Sequence, residues 1–66
     1  MSMNDYAMSI AEKIIEETSL KVIEGEITFD DTQRIFCDDL TPQELQALQF
    51  LGIMDEIDFR EAIENE

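Results

Sequence analysis

The sequence predicts an all-α protein, a small bundle of three to four short helices, on three observations. Apolar residues recur at three- and four-residue spacing, and no run alternates with period two over a strand's length. Gly25 and Gly52 stand where helices can end in a left-handed residue, and Pro42 stands where one can begin. No repeat, low-complexity tract or linker divides the 66 residues, so residues 1–66 read as a single domain.

The first helix is expected from about Asn4 to Glu24. Ser2 or Asn4 offers the cap, and Ser2 with Asp5 approximates a capping box. At 100° per residue Met3, Ala7, Met8, Ile10, Ala11, Ile14, Ile15 and Val22 share one side. Asp5, Glu12, Glu16, Glu17 and Glu24 share the other. Leu20 and Ile23 fall on the polar side, which predicts either a bend near Thr18-Ser19 or a second covered surface.

Thr28-Phe29-Asp30-Asp31 marks a second helix, with a capping hydroxyl and two aspartates at the positive end of the helix dipole. Phe29, Phe36 and Leu40 align, Cys37 reads as a small buried hydrophobe beside them, and Ile35 points elsewhere. Asp38-Asp39 is unfavourable at a helix C-terminus, so this helix is expected to stop near Cys37 or Asp38. A hairpin near residues 26–29 is the competing reading.

Leu40-Thr41-Pro42-Gln43-Glu44-Leu45 is the strongest local signal. It supplies an N-cap threonine, proline at the first helical position, glutamate at the third, and Leu40 placed to staple onto Leu45. Leu45, Leu48 and Leu51 make the stripe of this third helix, Gly52 ends it, and Phe50 lies off it. The run Leu45-x-x-Leu48-x-x-Leu51-Gly52-Ile53 is similar in spacing to the helix-and-loop signature of ubiquitin-associated domains. The likeness covers nine residues and departs from that pattern in the helix that follows. A fourth helix runs from a cap at Asp55 to Glu64, with Phe59, Ala62 and Ile63 on one side and Ile57 on the other.

Composition narrows the function. A chain this short buries only ~60% of its unfolded surface, which leaves little material for the walls of a catalytic cleft. It has no histidine and one cysteine, so serine and cysteine triads, an internal disulfide and a Cys/His zinc site are all excluded. Calcium loops starting at Asp30 or Asp55 fail, because Thr32 and Arg34, or Ile57 and Phe59, fall where ligands are required. No catalytic residue, metal site or cofactor is therefore expected. Neither a signal peptide nor a membrane span is apparent, and the expected location is the cytoplasm. Met1, Met3, Met8 and Met54 read as a methionine start and core filling.

Seventeen acidic residues against four basic ones give a net charge of −13, shared evenly by the two halves of the chain. Such a surface repels nucleic acid and anionic lipid, so neither is expected as a direct partner. At 44% apolar residues, the chain is expected to fold rather than remain disordered.

Two surfaces compete as the binding face. Glu12, Glu16, Asp30, Asp31, Asp38 and Asp39 form acidic rows whose helical spacing of ~5–6 Å approximates that of phosphates along a nucleic-acid strand. They point to a regulator or inhibitor of nucleic-acid-mimic type that binds a protein with a basic surface. Leu20, Ile23, Ile35, Phe50 and Ile57 lie off the main stripes. They point instead to an adaptor or assembly subunit that contacts a partner, or a second copy in a homodimer, through apolar residues.

Overall fold

The computed structural model describes residues 3–65, with side chains from residue 5 onward. Its elements are α1 (Met3–Glu24), α2 (Asp31–Arg34) running directly into a π-helical turn (Ile35–Asp39), α3 (Pro42–Gln49) and α4 (Glu56–Glu64). There is no strand among the described residues, so the all-α expectation holds and the hairpin reading does not. At 1.5 Å per residue α1 is about 33 Å long, and it sets the 35 Å long dimension of the molecule. Helices α3 and α4 pack on α1, while α2 and the π turn pack on α4, which is therefore the middle layer.

The core follows from the predicted stripes. Ala11 and Ile15 of α1 meet Ala47 and Leu48 of α3, Ile53 of the connecting loop, and Phe59 and Ile63 of α4. Phe59 and Leu48 are fully buried. The Phe59 ring stacks obliquely on Phe36 with centroids 5.4 Å apart, a favoured aromatic geometry that ties the π turn to α4. Leu45 is only half-buried, and Ala47 takes the place beside Leu48 that the leucine stripe had assigned to it.

Helix α1 runs unbroken through residues 18–19, and no break there carries Leu20 and Ile23 inward. Thr18 and Ser19 turn inward instead, 7% and 3% exposed, while Leu20 and Ile23 are left 47% and 77% exposed, with no second surface over them. Met8 and Met54 are also exposed rather than core-filling. Met1, the cap at Ser2 and the side chains of Met3 and Asn4 lie outside the described residues.

The ends of the helices obey local chemistry. Helix α1 closes through a Schellman motif: Glu26 N–H donates to Lys21 C=O at 2.9 Å and Gly25 N–H to Val22 C=O at 3.1 Å. The chain leaves α3 the same way, with Ile53 N–H on Leu48 C=O and Gly52 N–H on Gln49 C=O. Gly25 and Gly52 take φ of 82° and 80°, a conformation that glycine adopts without steric cost. The predicted capping box is present, with Glu44 N–H donating to Thr41 Oγ1 at 3.1 Å and Thr41 N–H to Glu44 Oε1 at 2.9 Å. At α4 the Asp55 carboxylate accepts the Asp58 N–H at 2.9 Å.

The second helix corrects three expectations. A single turn of i→i+3 bonds precedes α2, and Thr28 caps that turn reciprocally with Asp31. The helix then widens rather than stopping near Cys37 or Asp38, and Leu40 N–H bonds Ile35 C=O five residues back. The wider turn changes the rotation per residue. Ile35, expected to point away, packs with Phe36 against the core, and Cys37, expected to be buried, is exposed.

Candidate functional site

Packing α4 beside α1 leaves an open groove of about 630 Å³ between them, floored at one end by the α3–α4 connection. Glu12 and Glu16 stand on the α1 wall, and Asp58 and Glu61 on the α4 wall. Each pair is spaced at i,i+4 or i,i+3, so each wall presents carboxylates ~5–6 Å apart at their Cβ atoms. Between them lie Ile15, Leu51, Ile53 and Ala62, with Gly52 and the polar Asn65 completing the lining. The groove thus has an acidic rim and an apolar floor, and no lysine or arginine lines it.

The four basic residues are elsewhere. Arg34 reaches Asp39 at 3.4 Å. Arg60 lies over the Phe29 ring, 5.0 Å from its centroid, and reaches Asp30 at 3.6 Å. Lys21 sits on the opposite flank of α1, in a second groove of about 290 Å³ that it shares with Glu17, Arg34, Asp39 and Glu44. Lys13 lines neither groove. Among the described residues the side chains of Glu12, Glu16 and Glu61 make no ion pair or hydrogen bond, and the Asp58 carboxylate accepts the Met54 N–H at 3.1 Å.

The structure therefore divides the six predicted acidic residues. Glu12 and Glu16 share the groove. Asp30 and Asp39 are matched to Arg60 and Arg34. Asp31 is a cap: the Thr28 backbone N–H and then the Thr28 hydroxyl hold its carboxyl below the usual aspartate range, assisted by Arg34. Asp38 is exposed on the π turn, away from the groove. The two carboxylates that complete the site, Asp58 and Glu61, were not singled out from the sequence. Their i,i+3 spacing beside the Phe59–Ala62 stripe was legible, but not that this flank of α4 faces Glu12 and Glu16.

The predicted apolar residues are likewise dispersed. Phe50, half exposed, borders a small cleft with Tyr6 and Ile10 near the start of α1. Ile23 lies about 25 Å further along that helix, beside a separate cleft lined by Ser19, Val22, Phe29 and Ile63. Leu20 is exposed on α1, Ile57 is exposed on the first turn of α4, and Ile35 is partly buried against the core.

The Cys37 thiol donates to Glu56 Oε2 at 3.3 Å, and this bond, with some desolvation and the charges of Glu56 and Asp38, raises its pKa above the usual thiol value. That opposes thiolate formation. Among the described residues no three Asp, Glu or Cys side chains are grouped to hold a metal ion, and no helix is long and apolar enough to cross a membrane.

Fold and groove define a class, a small all-α protein with an acidic, apolar-floored groove. No family model matches the chain, and no curated protein or solved structure matches it.

Proposed function

We propose that this chain is a non-enzymatic regulator or inhibitor of the cytoplasm that presents carboxylates to a basic site on a partner protein, a site of the kind that otherwise binds nucleic acid. The observation that carries this reading is the groove rim: four carboxylates with no cation among the groove's lining residues, on a protein of charge −13. One exposed ion pair contributes only ~0–1 kcal/mol. Several acting together steer encounter and fix orientation, and such contacts are screened by salt. Neither nucleic acid nor membrane is a direct partner in this reading, because like charges repel.

A partner retained by the immobilised protein at ~50 mM salt should therefore bind at least tenfold more weakly at ~500 mM, and DNA or RNA should compete with the protein for it. Affinity that does not change with salt overturns the proposal. A second reading, an apolar adaptor, draws on the exposure of Leu20 and Ile23 on one helix. Under it, Ile23→Asp abolishes partner binding or dimerisation with helicity intact, and replacing groove carboxylates has no effect. Two copies of charge −13 repel each other, which weighs against the homodimer form of that reading.

A further inference from the structure

We infer that the groove between α1 and α4 is a docking site for a basic amphipathic segment of a protein, one whose apolar side chain seats on the floor while flanking lysines or arginines meet the two walls. The inference rests on the proposed function and names the chemistry of the partner. Phosphate mimicry alone requires only carboxylates on a convex surface. Here the carboxylates rim a concavity whose base is Ile15, Leu51, Ile53 and Ala62.

Complementarity of both kinds selects the occupant. Glu12 and Glu16 on one wall and Asp58 and Glu61 on the other bracket the floor, so a ligand there meets negative charge on both sides. An acidic or neutral segment leaves those carboxylates uncompensated and partly desolvated, which is unfavourable. A purely polar polycation leaves the floor wet. A helix or extended strand with cations on both sides of one apolar residue satisfies rim and floor together, as amphipathic segments do in grooves elsewhere. A chelated metal ion is the weaker occupant, since no three of the described carboxylates converge.

The test is fluorescence anisotropy with a labelled peptide of about four helical turns, built only of Leu and Lys with Leu at helical spacing. A control peptide has every Leu replaced by Gln. The protein variants are Glu12→Gln/Glu16→Gln/Glu61→Gln in the groove and Glu17→Gln/Glu24→Gln/Glu26→Gln outside it, which remove equal charge from exposed positions and are checked for helicity by circular dichroism. The inference expects the groove variant to bind the Leu/Lys peptide at least tenfold more weakly than the native protein. It expects the outside variant to lose less than about threefold, and the Gln control peptide to bind the native protein at least tenfold more weakly. Equal losses in the two variants, or equal affinity for the two peptides, overturn the groove as the site while leaving a diffuse acidic binding surface intact. Peptide affinity that is unchanged between ~50 and ~500 mM salt overturns the acidic reading itself.

Discussion

On one flank of α1, Glu12 and Glu16 face Asp58 and Glu61 across a groove with no cation. On the other, Glu17 shares a groove with Lys21, Arg34, Asp39 and Glu44. The two flanks belong to one helix, and the sequence shows both as exposed acidic positions. Their difference lies in what packs opposite. The flank toward the π turn gathers Lys21 and Arg34, two of the four cations, and the flank that meets α4 gathers more carboxylates. Net charge alone therefore misleads about availability, because carboxylates matched internally contribute to the −13 but have less to offer a partner.

Both flanks hang on one core, so the largest effect is a substitution that removes them together. Phe59→Ala deletes a fully buried ring that contacts Phe36. Losses of ~3–5 kcal/mol are usual for such a change, and a core of this size rarely supplies more than ~3–5 kcal/mol in total. The variant is expected to lose its helical circular-dichroism signal at 25 °C. A retained cooperative melt would show that α4 does not hold the groove in shape.

A smaller change separates the flanks. Glu12→Gln/Glu16→Gln relieves a like-charge i,i+4 pair and should raise stability by ~0.2–0.5 kcal/mol. Lys21→Gln/Arg34→Gln strips cations from the mixed groove and should lower it by a similar amount. Urea titrations at low salt measure both, and the two shifts should shrink together at ~500 mM salt. Shifts of the same sign would contradict the division.

Acid stability supplies a third comparison, between a carboxylate used for folding and those left free. Asp31 has a folded pKa below its unfolded value because Thr28 donates to it. Its contribution is therefore present above the unfolded aspartate value of ~3.9 and is lost as pH falls through the lower folded value. Native protein and Asp31→Asn should differ in stability above about pH 4 and converge below it. A constant offset across that range would remove the cap from the account.

The smallest effect is local to the π turn. The Cys37 thiol, held protonated by its bond to Glu56, should react slowly with iodoacetamide at pH 7 despite its exposure. Glu56→Gln should speed the reaction severalfold, and an unchanged rate would mean that the thiol bond does not persist.

The parts of this fold written in local chemistry were legible in the sequence. The Thr41–Glu44 capping box, the left-handed Gly25 and Gly52, and the Ala11/Ile15 and Phe59/Ile63 stripes are each set within a few residues. What escaped depends on distant packing or on a departure from 3.6 residues per turn. The π turn moved Ile35 inward and Cys37 outward. Similarly, Glu12 and Glu16 could be assigned to an exposed face, but their pairing with Asp58 and Glu61 is a property of how α4 docks. Asp30 and Asp39 looked equally free until Arg60 and Arg34 were placed beside them.

The claim that the two flanks differ in availability is tested most directly by amide chemical-shift mapping of the ¹⁵N-labelled protein titrated with the Leu/Lys peptide. The predicted shifts concentrate at Glu12, Ile15, Glu16, Leu51, Ile53, Asp58, Glu61 and Ala62, the groove without cations. Shifts centred on Glu17, Arg34, Asp39 and Glu44, or spread evenly over every exposed carboxylate, would contradict it.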